Sequence, residues 1–184
     1  MEWPSYGRVT LKPFDEELTA AEWQALYQCF RDPEIAEWNG ARPIKLPIWL
    51  FRRIVMADVK RGDRISFGIL EEHDEWIGSI ELYELHNQSA TLGIAIGKKE
   101  VWSHGYGTEA LKALLKYCFE ELKLERVQLR TFPHNLRAQR AFSKAGFHKV
   151  REETSPGGIV DLIMEIGATE WRAANAPPTL RYDP

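Results

Sequence analysis

The apolar residues of this 184-residue chain change their period twice, and that change restricts its possible folds more than any other feature. Arg64 to Leu70, Trp76 to Leu85 and Ala90 to Ile96 follow a period of two, with short polar turns at Glu72-His73-Asp74-Glu75 and His86-Asn87-Gln88. Runs of this kind in immediate succession read as an antiparallel meander. On both sides the period is helical. Upstream, after a strand over Arg8 to Phe14, Thr19 and Glu22 have capping-box spacing and Leu18 with Trp23 the spacing of a hydrophobic staple. Trp23, Leu26, Tyr27 and Phe30 then share one helical face. Asp32 to Gly40 reads as a loop or a short helical turn. Pro47 opens a second helix, with Leu50, Phe51, Ile54 and Val55 inward.

Downstream of the meander, Tyr106 to Leu122 forms a helix with a stripe of Leu111, Leu114, Leu115, Cys118 and Leu122. A strand over Val127 to Phe132 follows, and then a helix capped by Asn135 and ended by Gly146, with Ala138, Ala141, Phe142 and Ala145 inward. Phe147 to Glu153 and Val160 to Ile166 are the last strands, joined through Pro156-Gly157-Gly158. The central strand-helix-strand unit is expected to be parallel and right-handed. The class is therefore α+β with a mixed, mostly antiparallel sheet and about four helices. Residues 1–167 read as one domain and 168–184, with Pro177-Pro178, as a surface tail.

Charge and composition remove several function classes. The formal net charge is -3 and no Lys/Arg-rich tract occurs, so nucleic acid is not an expected partner. No run approaches the ~18 apolar residues of a membrane span, and Met1 to Arg8 holds no apolar leader. Cys29 and Cys118 lie in helical apolar patterns as buried thiols, with neither metal-ligand spacing nor a disulfide framework. A cytoplasmic protein without a metal, monomeric or homodimeric, is the expectation.

The stretch Trp102-Ser103-His104-Gly105-Tyr106-Gly107-Thr108-Glu109-Ala110 lies between a strand and an amphipathic helix. Glycines there admit close backbone approach, and the unpaired first amides of a helix with its dipole suit a phosphate or pyrophosphate. A tight structural turn would look the same. A Rossmann fingerprint fits poorly, because the preceding strand belongs to the meander and Phe132-Pro133, not an acidic residue, ends the next one. A P-loop would need Gly-Lys-Ser/Thr, which is absent.

Taken with Asn135-Leu136-Arg137-Ala138, Lys144-Ala145-Gly146-Phe147, Asp161-Leu162-Ile163-Met164 and Asp32-Pro33-Glu34-Ile35, that turn makes residues 8 to 167 resemble the GNAT N-acetyltransferase superfamily. The resemblance is to the branch of ribosomal-protein N-terminal and spermidine acetyltransferases. It implies the acyl-CoA N-acyltransferase fold, with the sheet splayed at the cofactor, and direct transfer of an acetyl group from acetyl-coenzyme A to a primary amine. The amine could sit on a protein N-terminus, a polyamine or another small molecule. A sensor that only binds acyl-coenzyme A, or transfer of another acyl group such as succinyl, stays open.

Residue by residue, the resemblance implies that the main chain of Ile94, Ala95, Ile96 and Val101 bonds pantetheine. The same edge amides can stabilise the oxyanion formed during transfer. Trp102, Ser103, His104, Gly105, Tyr106, Gly107 and Thr108 would hold the pyrophosphate, and Asn135 and Phe142 would touch the coenzyme. Arg137, Arg140 and Lys144 could meet its phosphates or form a solvated basic face. Thr91 stands where the family often has a Glu, and Phe142 where a Tyr usually protonates the thiolate. Glu81 and, less favourably placed, Glu84 are the candidate bases, with a solvent-facing strand carboxylate as the plain alternative. Glu34, Glu37, Trp38 and Asn39 are candidate acceptor contacts, since carboxylates and an aromatic suit a cation.

Overall fold

A computed structural model describes residues 2–155 and 157–176. The elements run β1 (Ser5–Tyr6), β2 (Val9–Pro13), α1 (Ala20–Arg31), α2 (Pro33–Trp38), α3 (Ile48–Arg61), β3 (Arg64–Leu70), β4 (Trp76–His86) and β5 (Ser89–Ile96). Then come α4 (Tyr106–Lys116), β6 (Arg126–Thr131), α5 (Leu136–Ala145), β7 (His148–Thr154), β8 (Val160–Gly167) and α6 (Ala168–Asn175). The strands form one sheet in the order β1-β2-β3-β4-β5-β6-β8-β7, and only β5 with β6 is parallel. The chain crosses from β5 to β6 through α4, as a parallel pair requires a crossover connection.

The local signals work where local chemistry decides. Thr19 accepts from the Glu22 amide and Glu22 from the Thr19 amide, closing the capping box of α1. Gly146 ends α5 at φ 107, a conformation that side chains with a Cβ rarely adopt. The larger core lies where α4 and α5 meet the sheet, around Leu111, Leu114, Leu115, Leu82, Leu92 and Leu129. A smaller one joins α1 and α3 to Phe14, Leu70 and Trp76.

Four expectations change. The first strand is Val9–Pro13 with a short partner at Ser5–Tyr6. Six α-helices occur among the described residues instead of about four. The helix expected to reach Leu122 is α-helical to Lys116 and continues as a π turn over Tyr117–Glu121. Residues 168–175, expected as part of a tail packed on the surface or loose, form α6. Glu170 accepts from the Gly167 amide, the Ala168 amide bonds Glu125 O (2.9 Å), and Trp171 packs on Phe119 (5.5 Å). The expected tail residues 177–184 lie outside the described residues.

Candidate functional site

The site begins where two strands part. β5 and β6 pair only from Ser89 opposite Arg126 to Leu92 opposite Leu129. β5 continues to Ile96 along β4, and β6 continues to Thr131 along β8, so a gap opens between them. The Gly97 amide donates to Ile77 O on β4 (2.8 Å). Backbone groups alternate sides along a strand, so Ala95 also bonds toward β4, whereas Ile94 and Ile96 present theirs to the gap. The expectation that Ala95 offers its main chain is corrected by this parity; it only lines the cleft. The Ile96 carbonyl already accepts from the Trp102 indole N–H (2.9 Å).

The gap widens into a cleft of about 1240 Å³, above the usual range for small-molecule sites. Val101, Trp102, Ser103, Gly105, Gly107 and Thr108 line it. Gly105 is the residue before α4, at φ 95, and no side chain caps that helix. The amides of its first turn therefore lack helical partners at the positive end of the dipole. A Cβ on Gly107 would meet only Ile96 Cγ1, at 3.9 Å, so the side-chain position in this turn is open to the cleft. His104 and Tyr106 are not among the lining residues. His104 is exposed, and Tyr106 is buried with its ring under the Arg8 guanidinium (4.1 Å).

Glu109 fixes this turn from behind. It accepts from the Arg8 amide (2.7 Å) and Arg8 Nη2 (2.6 Å), while Nη2 also reaches His104 O (2.9 Å). Burial pushes the Glu109 carboxyl up, but the Arg8 side-chain and backbone bonds outweigh it and hold it below the ordinary carboxylate range.

On α5, Asn135 is buried, accepts from the Ala138 amide (3.2 Å) as a cap, and lines the cleft. Arg140 and Lys144 line it too, as does Phe142, which packs edge-on to Phe147. Arg137 lies 3.8 Å from the Trp102 ring and 5.6 Å from that of Trp38. Trp38 lies 5.8 Å from His134, which stacks on Phe132 at 5.2 Å. One row of stacked groups thus links α2, the glycine turn and the start of α5, each cation–ring contact contributing about 0.5–2 kcal/mol.

At the other end, Ser79, Glu81 and Tyr83 of β4 line the cleft with Arg64, Arg130 and Asp161. Arg64 Nη1 bonds Glu81 Oε1 at 2.6 Å. Tyr83 is half-buried, and burial, then Glu84 and Glu81, push its hydroxyl above the usual tyrosine range. The two candidate bases separate here. Glu84 accepts from the buried Thr91 hydroxyl (2.6 Å), which accepts from Gln128 (3.1 Å), and is not a lining residue. Trp38 and Asn39 line the cleft. Glu34 and Glu37 do not: Glu34 is exposed and paired with Lys99 (2.7 Å), and Glu37 is exposed. Sequence reasoning missed Tyr83, Arg64, Arg130 and Asp161 as site residues. The shared pleat of Ser79, Glu81 and Tyr83 could have found Tyr83; Arg130 and Asp161 need the register of β6 on β8.

Residues 8–148 match the family described as "Acetyltransferase (GNAT) domain". The chain is 37% identical over 153 residues to aminoglycoside N(6')-acetyltransferase type 1 of Klebsiella pneumoniae, covering 77% of this chain and 76% of that protein. It is 34% identical over 95 residues to the probable N-acetyltransferase YjcK of Bacillus subtilis (strain 168), covering 50% of this chain and about half (52%) of that relative. In fold it resembles spermidine N-acetyltransferase from Vibrio cholerae in complex with CoA and spermine, with a TM-score of 0.78, 17% identity, and 89% and 98% of the two chains covered.

Proposed function

Because the chain belongs to the acetyltransferase (GNAT) family, we propose that its cleft holds acetyl-coenzyme A and passes the acetyl group directly to a primary amine. The observation that carries this reading is the parting of β5 from β6 after Leu92 and Leu129, beside a helix start with no side-chain cap. The residues present suit the coenzyme: a strand edge with free donors and acceptors, bare amides behind Gly107, and cations on α5. Ile94 and Ile96 would bond the pantetheine amides, and the first amides of α4 the pyrophosphate. Arg140 and Lys144 would pair with phosphate oxygens, and Arg137 would do so from its place between two indoles.

The bound thioester supplies an electrophilic acyl carbon. The protein must then present a neutral amine to it. Glu81 is the carboxylate we place as proton acceptor, with Arg64 orienting it. Phe142 carries no transferable proton, so the departing sulfur draws its proton from water. Cys29 borders the cleft, but burial and then Asp32 push its thiol up to about 11, leaving it protonated at neutral pH. No thiolate nucleophile is then available there, which favours direct transfer over an acyl-enzyme. No helix among the described residues is long and apolar enough to cross a membrane, and both cysteines are buried free thiols, in keeping with a reducing cytoplasm.

Thermal unfolding with acetyl-coenzyme A tests the reading. A ligand that binds the folded state at about a hundred times its Kd adds roughly 2.7 kcal/mol, which raises Tm by several degrees in a chain of this size. Acetyl-coenzyme A should produce that rise and NADH should not. No rise at saturating ligand would remove the cofactor assignment.

A further inference from the structure

The wall of the cleft contributed by α1, α3 and the segment between α2 and α3 is not built for a polycation. Phe30, Ile44, Leu46, Phe51, Ile54 and Val55 all line it. They form one surface: the Phe30 ring packs tilted against Phe51 (5.4 Å), the Ile44 amide bonds Phe30 O (3.0 Å), and the Tyr27 hydroxyl, beside Phe51, donates to Leu46 O (2.7 Å). Phe30 and Ile54 remain 44% exposed and Leu46 37%, although the helical period puts Phe30 on the apolar face of its helix and Ile54 inward. Apolar side chains gathered on a concave surface and left uncovered mark a binding surface.

The charges at this end point the same way. Of the lining carboxylates, Asp58 is paired with Arg61 and Glu81 with Arg64. Among the described residues, Asp161 is the lining carboxylate that no ion pair engages. Against these stand the lining cations Arg42, Arg64 and Arg130, of which Arg64 is held by Glu81 and Arg130 by Glu153 (3.2 Å). A substrate with several ammonium groups would leave water beside arginines with a single free carboxylate to meet it, and desolvated charge without a partner is costly.

We infer, building on the acetyl transfer proposed above, that the acceptor is a single amine carried on an apolar body, an aromatic or branched alkyl group. The amine meets Glu81, and the body covers Phe30, Leu46 and Ile54. A small arylalkylamine and the N-terminus of a peptide that begins with an apolar residue share this chemistry.

Thiol release from acetyl-coenzyme A by the full chain, with a panel of amines, decides the matter. The expected kcat/KM for 2-phenylethylamine or an N-terminal Phe peptide amide exceeds that for spermidine and kanamycin by about tenfold or more. Whichever of the first two is faster identifies the source of the shared chemistry. Ile54→Asp, at a half-exposed helical position, should lower kcat/KM for the apolar amine about tenfold and leave the KM for acetyl-coenzyme A unchanged. Faster turnover of spermidine or kanamycin, or an unchanged ratio in Ile54→Asp, would overturn the inference and leave acetyl transfer standing. No thiol release with any amine would overturn both.

Discussion

Gly107→Leu should fold at least as well as the parent chain and lose acetyl-coenzyme A affinity by about a hundredfold, or roughly 2.7 kcal/mol. The two halves of this result have separate causes. Gly107 sits in the first turn of α4 at an ordinary helical φ, and the Cβ position has only Ile96 Cγ1 near it, at 3.9 Å. Replacing Gly by Leu within a helix contributes about 0.8 kcal/mol or more, so Tm without ligand should hold or rise. The added side chain stands in the cleft above the amides that we assign to the pyrophosphate. It displaces the ligand without disturbing the scaffold. Titration calorimetry together with a melt separates the effects. Unchanged affinity would remove the glycine turn from the binding site.

Glu109→Ala should instead weaken both the fold and the site. The carboxylate takes bonds from the Arg8 backbone and side chain, and Arg8 in turn holds His104 O. Gly7, at φ 58, leaves room for that carboxylate, since a Cβ there would lie 2.6 Å from Glu109 Oε2. Removing it strands the Arg8 amide and unties the β1–β2 turn from the first turn of α4. The expected loss is about 1–2 kcal/mol, read as a fall in Tm, with a several-fold loss of acetyl-coenzyme A affinity. The pH dependence has a definite sign. The folded carboxyl is held below its ordinary value of about 4.3, so its contribution is full above that pH and is lost as pH falls through the folded value. Parent and variant melts should therefore converge in acid. A gap that persists in acid would assign the effect to packing.

The features legible in the sequence were those that local chemistry decides. The Thr19–Glu22 box, the Leu111, Leu114 and Leu115 stripe on α4, the Gly146 stop and the glycine turn each rest on residues a few positions apart, and each appears in the structure as the spacing implies. Phe30 and Ile54 show where such reading ends. A helical period identifies an apolar face but not whether that face meets the core or a cavity, and here both line the cleft. Glu34 reads as an acceptor contact from its charge, yet Lys99, far along the chain, holds it elsewhere. The Arg8–Glu109 lock and the Trp38–Arg137–Trp102 stack join segments distant in sequence, and no local pattern announces them. Glu81 and Glu84 are three residues apart on one strand. The left-handed backbone of Glu84, at φ 53, and its bond to Thr91 separate them. Residues 168–175 read as a tail because α6 buries only Ala168, which leaves little hydrophobic period to detect.

The most direct test of acetyl transfer is amine-dependent release of free thiol from acetyl-coenzyme A, followed in the parent chain and in Glu81→Gln across pH. The account predicts thiol and acetylated amine in equal amounts from the parent chain. In Glu81→Gln it predicts a rate lowered by about a hundredfold, as for loss of a general base, with binding of acetyl-coenzyme A retained. Thiol release that does not depend on amine, or no release although acetyl-coenzyme A binds, would contradict it.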